Sequence, residues 1–388
     1  MMSQTSKREL LTELRPRYRQ ASRPEKQRIL NELVATTGYD RKYAIQLLNH
    51  LPRRPSGRRR AAKPKYGGRV IAALEQCWQA ANGICGKRLV AVLPEYVAAL
   101  ERHGELLLDG ETRRLLLSLS AATADRRLKR ARQRSRPHGL STTKPGTLLK
   151  QAIPVRTFAD WDDAQPGFTE VDQVAHCGDS TRGEYLNSLN LIDVKTRWSE
   201  FVPLINKSQA TVTAAVEECR QRLPYPLLGL DSDNGGEFIN ATLKRYCEAH
   251  KITFTRCRPY KKNDQAYIEQ KNWTAIRQMV GYDRYEGQAP CDQLRALYEP
   301  LRLYINFFRP VMELLSKERH GAKVKCRYDQ AKTPYQRVLD APEVDDEVKE
   351  RLRQQYATLN PAALLRQIQT HQEALWKLAH QPAAAVVA

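Results

Sequence analysis

The sequence lacks the cysteine and histidine spacings of a zinc site. Its eight cysteines include no Cys-x-x-Cys pair, and no two of its histidines lie three to five residues apart. These absences exclude a locally encoded zinc finger or a His-His-Cys-Cys zinc module, so we expect no zinc. Scattered cysteines in a long chain are typical of reduced, structural thiols in a cytosol.

The sequence also lacks long apolar runs. No stretch approaches the roughly 18 apolar residues of a membrane span, and the first ten residues, MMSQTSKREL, lack the apolar core of a signal peptide. Hydrophobic residues nevertheless make up 41% of the 388 residues, which indicates several folded domains. We therefore expect a cytoplasmic protein with no membrane partner.

Acidic residues are scarce only in the first part of the chain. Residues 1–150 contain 32 Lys and Arg but 12 Asp and Glu, whereas the remainder contains 32 and 31. Nearly all of the net charge of +21 therefore lies in residues 1–150. A basic block of this kind is typical of a surface that binds a polyanion, and double-stranded DNA is the expected partner.

Near the N-terminus the sequence predicts two helices joined by a short turn. Ser22 and Glu25 form a capping box that begins the first helix, and Gly38 ends it. The second helix exposes Arg41 and Lys42 near its start, which is the plan of a DNA-binding helix-turn-helix. An ordinary helical hairpin remains the alternative.

Two further basic segments follow the first helix pair. Residues 52–68 form a Pro/Gly/Arg linker that can follow DNA phosphates without a fixed structure of its own. Beyond it, a helix over residues 111–119 and a second helix capped by Ser120 repeat the two-helix plan. The predicted DNA-binding residues of these segments are Arg58, Arg59, Arg60, Arg126, Arg127, Lys129 and Arg130.

After a second linker, residues 138–160, the pattern changes from helical to mixed. Three strand-like runs in succession precede alternating helices and strands, which predicts a mixed sheet covered by helices. The five expected strands are residues 167–175, 184–193, 198–204, 227–230 and 252–255. The expected helices include one that begins after the cap Ser208 and a long one from about Asp264 to Val280.

Three carboxylates of this region can form one site. Asp172 lies in the first strand, Asp233 follows a short apolar strand, and Glu269 lies in the long helix. Three ionised carboxylates brought together would repel one another unless a cation lay between them. Oxygen-only ligands select Mg²⁺ or Mn²⁺, and two such ions can activate a nucleophile and stabilise a leaving oxygen at phosphorus.

Other residues compete for this role. Asp231 lies two residues before Asp233, and Glu237 is expected in the cap or first turn of the next helix. Asp179 and Asp193 are expected at turns for local reasons. His176 and its neighbour Cys177 would point to opposite faces of a strand, so we interpret both as structural.

Together these residues resemble the catalytic core of retroviral integrases and of their relatives among bacterial insertion-sequence transposases. In that superfamily the third carboxylate follows the second after 35 intervening residues, the number found between Asp233 and Glu269. The run Asp-Asn-Gly-Gly-Glu-Phe from Asp233 is similar to the second motif, and Tyr260–Asn272 to the third. Residues 303–333 are similar to the part that follows the core in the transposases.

The resemblance implies an RNase H-like core with Asp172, Asp233 and Glu269 as catalytic and metal-binding residues. It also implies a homo-oligomer that nicks the ends of a mobile element and joins the freed 3′-OH to target DNA with Mg²⁺ or Mn²⁺. Integrases have lysines one and two turns beyond the catalytic Glu, where this chain has Trp273 and Ile276. Lys261, Lys262 and Lys271 are assigned to DNA in their place.

Two other functions remain open. A helix-turn-helix regulator, or a transposase that has lost activity, would use the basic region without catalysis, and an RNase H-like nuclease would cut without joining. The predicted fold is multidomain, with all-α N-terminal modules, an α/β RNase H-like core and a mainly helical C-terminal tail. The predicted divisions are 1–66 and 67–137 (DNA-binding modules), 138–160 (linker), 161–310 (core) and 311–388 (tail).

Overall fold

The computed structural model describes residues 3–49, 65–134, 165–233, 235, 237–256, 266–320 and 323–379. It divides the chain into two compact units, Met1–Lys65 and Tyr66–Ala388, which are described separately. The predicted DNA-binding residues Arg58, Arg59, Arg60, Lys261 and Lys262 lie outside the described residues. The five-part division of the chain stays a prediction.

The first unit is built from three helices. They are α1 (Gln4–Gln20), α2 (Arg23–Thr37) and α3 (Arg41–Asn49). The capping box predicted at the start of α2 is present, with the Ser22 N–H donating to Glu25 at 2.9 Å. Gly38 ends α2 with a left-handed φ of +69°, which a residue with a side chain rarely adopts. The prediction of α2 and α3 is confirmed, whereas α1 was missed.

The second unit begins with five helices. They are α4 (Gly68–Ala80), α5 (Gly86–Arg102), α6 (Gly110–Leu117), α7 (Ala121–Arg127) and α8 (Lys129–Arg134). Ser120 caps α7 as predicted, and Asp109 caps α6. The Tyr96 hydroxyl donates to the Phe308 carbonyl at 3.0 Å, so these helices are bonded to the sheet-containing part of the unit.

The centre of the second unit is a mixed five-stranded sheet, which confirms the predicted core architecture. Its strands are β1 (Phe168–Ala175), β2 (Asn187–Asp193), β3 (Ser199–Leu204), β4 (Gly229–Ser232) and β5 (Thr253–Arg256). Their order is β3-β2-β1-β4-β5, in which β1 pairs antiparallel with β2 and parallel with β4. Helices α9 (Gln209–Arg222) and α10 (Ala241–Ala249) connect β3, β4 and β5.

The helix that carries Glu269 differs from the prediction. It consists of α11 (Ala266–Lys271), a π-helical segment (Asn272–Arg277) and α12 (Gln278–Val280). The sequence predicted one regular helix over this stretch. Ile276 is buried, so it does not occupy an exposed position two turns beyond Glu269 as the sequence suggested.

The tail is mainly helical, as predicted, and it also contains a hairpin. After α13 (Gln288–Phe308) the chain forms a hairpin of β6 (Leu314–His320) and β7 (Lys323–Tyr328), then α14 (Pro334–Asp340), α15 (Asp346–Thr358) and α16 (Pro361–Lys377). The hairpin strands are rich in charged residues, so they lack the apolar alternation by which strands are predicted.

Helix α16 packs on its own unit. Gln372 donates from Nε2 to the Met279 carbonyl at 2.7 Å, and Ile368 and Leu375 are buried. Leu378 lies past the last helical residue and is 41% exposed. Across the described ranges, no helix combines the length and the apolar character that a membrane span requires.

Candidate active site

The pairing of β1 with β4 brings two predicted catalytic residues together. In this parallel pair Glu170 lies opposite Asp231, and Val171 lies opposite Ser232. One step further along the same register, Asp172 lies beside Asp233. Neighbouring strands are about 4.8 Å apart, so the two carboxylates project from adjacent positions at the end of β4.

Two side chains of β1 hold the helix that follows. Glu170 and Asp172 are two residues apart and therefore lie on one face of the strand. The Ile268 N–H donates to Glu170 Oε2 at 3.0 Å, and the Asn272 amide donates to Asp172 Oδ2 at 2.6 Å. The start of α11 and the start of the π-helical segment are thus both fixed against β1.

Glu269 lies between these two anchors. It is three residues before Asn272, so both side chains project on the same side of the helix. Its carboxylate is exposed, and no three His, Cys, Asp or Glu side chains among the described residues are close enough together to hold a metal ion. The structure therefore brings Asp172 and Asp233 together and leaves Glu269 near them but apart.

The electrostatics of the aspartate pair reflect its crowding. Burial, and next the charge of Asp233, raise the pKa of Asp172 to about 7. Burial also raises the pKa of Asp233, against the opposing hydrogen bond from the Gly235 N–H at 2.8 Å. Both carboxyl groups therefore resist ionisation until a positive charge compensates them.

Glu237 is a third carboxylate at this site, and sequence reasoning gave it a different role. Helix α10 is capped by Asn240, so Glu237 lies in the preceding loop and not in a helical first turn. A Cβ added at Gly235 would lie 2.8 Å from Asp233 Oδ1 and 2.9 Å from Glu237 Oε2. The charge of Glu237 also raises the pKa of both aspartates, although burial and closer groups have larger effects. The Lys207 ammonium lies 4.0 Å from Glu237 Oε1.

The chemistry of these carboxylates suits a hard divalent cation, although no three of the described ones are close enough together to hold it. The donors are carboxylate oxygens alone, and the like charges of Asp172, Asp233 and Glu237 act on one another. Oxygen-only sets of this kind suit Mg²⁺ or Mn²⁺ rather than zinc. Asn272 supplies the outer contact that orients Asp172, and Asn190 in turn donates to Asn272 at 2.8 Å.

The rival acids have structural partners. Asp231 is buried and accepts from the Thr255 hydroxyl at 2.7 Å. Asp193 is buried at the end of β2, where it accepts from the Thr196 N–H at 2.6 Å. His176 is buried as well, with Nε2 2.7 Å from the Ser188 hydroxyl, and burial lowers its pKa to about 3.

The predicted DNA-binding cations lie in different environments. Arg41 and Lys42 are exposed on α3, where Arg41 also bonds Asn31 at 2.6 Å. Lys271, in contrast, is only 6% exposed and is not part of an open surface. The other four described cations are all exposed on α7 and α8, namely Arg126, Arg127, Lys129 and Arg130.

Comparison with known proteins gives a consistent result. Residues 162–262 match the family described as the integrase core domain, a range that contains Asp172 and Asp233 and ends just before Glu269. The uncharacterized protein y4rM of Sinorhizobium fredii (strain NBRC 101917 / NGR234) is 41% identical over 327 residues, 84% of this chain and 93% of that protein.

Two solved structures are also similar, at low scores. The catalytic core domain of BIV integrase is 19% identical with a TM-score of 0.31, covering 45% of this chain and 94% of that one. The HTLV-2 integrase catalytic core domain, solved in complex with magnesium, is 13% identical with a TM-score of 0.29, covering 38% and 91%.

Proposed function

Because the chain belongs to the integrase core superfamily of integrases and transposases, we propose that it is a DNA transposase. It binds the ends of a mobile element, nicks them and joins their 3′-OH groups to target DNA. The observation that supports this proposal is the parallel register of β1 and β4, in which Asp172 and Asp233 directly follow the pair Val171 and Ser232, together with the effect of the Asp233 charge on Asp172. A scaffold without catalysis has no need for two half-buried carboxylates that repel each other.

The proposed reaction consists of two displacements at phosphorus. Water first attacks a phosphodiester at the element end, so that one P–O bond forms, another breaks, and a 3′-OH is released. That hydroxyl then attacks a target phosphodiester, and the displaced 3′-oxygen takes up a proton. Bound divalent ions would activate the attacking oxygen and stabilise the departing one.

The residues of the chain have distinct roles in this proposal. Asp172, Asp233 and Glu269 hold the cations, and the exposed position of Glu269 lets its carboxylate turn toward the aspartates. Asn272 orients Asp172 through its hydrogen bond. Glu237 adds a further negative charge beside Asp233, so it strengthens the attraction for a cation.

DNA binding is assigned mainly to the basic N-terminal region. Residues 1–150 have 20 more basic than acidic residues, and exposed arginines and lysines on α3, α7 and α8 can contact phosphates. A homo-oligomer would hold two element ends side by side. The salt dependence of binding by the whole chain measures how many phosphates these cations neutralise.

The decisive experiment measures cutting and joining directly. Purified protein is incubated with a labelled duplex carrying the element end and a supercoiled target, in Mg²⁺, Mn²⁺ or EDTA. Glu269→Gln is run in parallel because it keeps the shape of the side chain and removes its charge. We expect metal-dependent nicks and joined products with the wild type and none with the variant.

Two other results would contradict the transposase proposal. Metal-dependent cutting of an RNA–DNA hybrid without any joining would indicate a nuclease. Binding to DNA without cutting, for wild type and Glu269→Gln alike and with several end sequences, would indicate a regulator or a transposase that has lost activity.

A further inference from the structure

The hairpin of β6 and β7 packs little on the rest of the second unit. Its two strands form a sheet of their own, and no other described helix or strand packs extensively against them. Leu315 and Tyr328, near the base of the hairpin, are 68% and 45% exposed. Lys325, Cys326 and Arg327 of β7 are exposed as well. The fold therefore leaves this hairpin open to a partner.

The hairpin is strongly basic. Residues 315–328 contain five Lys and Arg and one acidic residue, Glu318, which gives a net charge of +4. In the register of the two strands Glu318 lies opposite Lys325, so the excess of positive charge remains after this pair is counted. Lys325 and Arg327 are two residues apart and project from the same face of β7. An exposed segment with this charge favours an anionic partner.

The acidic residues that flank the hairpin are bonded at its base. The Asp329 carboxylate accepts from the Glu313 N–H at 2.6 Å and from the Arg337 guanidinium at 2.6 Å. Glu313 also pairs with Arg337 at 3.1 Å and with Arg197 at 3.4 Å. The two arginine side chains are only 11% and 8% exposed, so they belong to the body of the unit. These acids therefore fix the base of the hairpin, and arginines of the body compensate their charge.

The hairpin lies next to the basic helices α7 and α8. The Lys87 ammonium of α5 is 5.7 Å from the centre of the Tyr328 ring. One residue earlier, the Gly86 N–H donates to Asp125 of α7 at 2.7 Å. The next residue of α7, Arg126, is exposed and is one of the residues assigned to DNA. The start of α5 thus connects the hairpin with a surface that is already proposed to bind DNA.

We propose that the β6–β7 hairpin binds DNA by lying in a groove of the duplex that α7 and α8 contact. This inference rests on the proposed function and adds to it an interface outside the basic N-terminal region. Two strands about 4.8 Å apart, with their side chains, fit the major groove, which is about 12 Å wide and admits a two-stranded ribbon. Lys325 and Arg327 contact phosphates. DNA suits the hairpin better than the edge of a second hairpin does, because two segments of the same charge repel each other.

The first test measures the salt dependence of DNA binding by the full chain. Lys325→Gln combined with Arg327→Gln removes two positive charges from an exposed strand. The slope of log affinity against log salt should become less steep by about 1.8, which is about 0.9 for each lost phosphate contact. The free protein should keep its Tm, because neither side chain is buried.

The matched control is Arg351→Gln combined with Arg353→Gln on α15, which also removes two exposed positive charges. Helix α15 ends beside the end of α5, where Arg102 donates to the Ala357 carbonyl at 3.1 Å. The hairpin lies at the start of α5, and the 17 residues of this helix span about 25 Å. The control should therefore leave the slope unchanged.

The second test uses Cys326, an exposed thiol between Lys325 and Arg327. Alkylation of this cysteine by N-ethylmaleimide is followed by peptide mass spectrometry, with and without duplex DNA. Cys326 projects from the face of β7 opposite to its two neighbours, so its protection requires that DNA enclose the hairpin. Saturating DNA should suppress the alkylation, whereas a higher protein concentration without DNA should leave its rate unchanged.

The outcomes separate the possible occupants. A wild-type slope for the Lys325 and Arg327 double variant would overturn the phosphate contacts. A reduced slope with Cys326 still fully reactive would overturn the groove placement, because DNA would then touch one face only. Protection that grows with protein concentration in the absence of DNA would assign the hairpin to a second copy of the chain and overturn the proposal.

Neither measurement depends on catalysis. A reduced slope and a protected Cys326 in a protein that joins no DNA ends would reject the transposase and keep the hairpin contact. Normal joining with an unchanged slope and a reactive Cys326 would reject the hairpin contact and keep the transposase.

Discussion

The helix that carries Glu269 separates two groups of like charges with opposite sign. On one side Asp172, Asp233 and Glu237 face one another, and on the other Lys271 lies among arginines. Elsewhere in the second unit the buried Glu200 is paired with Arg302 at 2.6 Å. The charges of a buried ion pair compensate each other, whereas a group in which one sign predominates indicates a ligand of the other sign.

The strongest way to test this comparison is to neutralise the acidic side. Asp233→Asn keeps the oxygen that accepts from the Gly235 N–H. We expect strand joining to fall below about one hundredth of the wild-type rate, since loss of even an outer contact of a metal site costs 10–100-fold. In EDTA the variant should be more stable by about 1 kcal/mol, because one repelling charge is gone.

The control is Asp179→Asn, which changes an exposed aspartate. Its rate and its Tm in EDTA should match those of the wild type. A lower Tm for Asp233→Asn in EDTA would mean that Asp233 is a structural residue whose charge does not destabilise the metal-free protein.

A smaller effect is expected from the residue that orients Asp172. Asn272→Ala removes the 2.6 Å hydrogen bond to Asp172 and leaves all the carboxylates in place. The Mg²⁺ concentration needed for half-maximal joining should rise about 10–100-fold, and added Mg²⁺ should restore the rate.

Gln278→Ala, an exposed change on the same helical stretch, serves as the control and should need no extra Mg²⁺. If Asn272→Ala lost activity that no Mg²⁺ concentration restored, Asn272 would have a role beyond orienting a metal-binding carboxylate.

His176 sharpens the comparison because it is a buried group that stays neutral. Its pKa is lowered from 6.5 to about 3 by burial and by Arg277, so below pH 6.5 the unfolded chain binds a proton that the native protein does not. Its contribution therefore makes stability fall as pH decreases from 6.5 toward 3, by at most about 1.4 kcal/mol per pH unit.

His176→Gln should remove this part of the pH dependence, as measured by denaturant unfolding at several pH values. His250→Gln changes an exposed histidine and should leave the dependence as it is. Equal slopes for His176→Gln and the wild type would mean that His176 is protonated in the native protein.

The smallest effect is expected from a surface cation. Lys129→Ala on α8 should lower the salt slope of DNA binding by about 0.9 and change the free energy of unfolding by less than about 0.5 kcal/mol. Lys129→Arg keeps the charge and should preserve the slope. If the salt dependence of DNA binding is the same for Lys129→Ala and the wild type, Lys129 does not contact DNA.

Local chemistry made much of the fold predictable. Ser22, Ser120, Ser208 and Asn360 begin helices as their side chains indicate, because a cap needs only neighbouring residues. Long-range features could not be predicted in the same way. The order of the strands depends on pairing between distant segments, and the charged hairpin of β6 and β7 has no apolar pattern to reveal it.

The candidate site shows the same division. Spacing and motif context predicted Asp172 and Asp233 as site residues, and in the sheet they directly follow the paired residues Val171 and Ser232. Glu237 was misplaced because the start of α10 could not be located to within a few residues. The burial of Lys271 could not be foreseen, because the sequence assigned it to DNA and nothing local indicates that its side chain is covered.

The π-helical segment affects how relatives of this chain should be aligned. Exposed residues along this stretch come at Glu269, Trp273 and Gln278, four and then five residues apart, since each π-helical bond encloses one more residue than an α-helical bond. Two regular α-helical turns from Glu269 lead to Ile276, which is buried. The exposed residue of that turn is Gln278. An alignment that assumes a regular α-helix after Glu269 therefore shifts the exposed positions of this chain by about one residue.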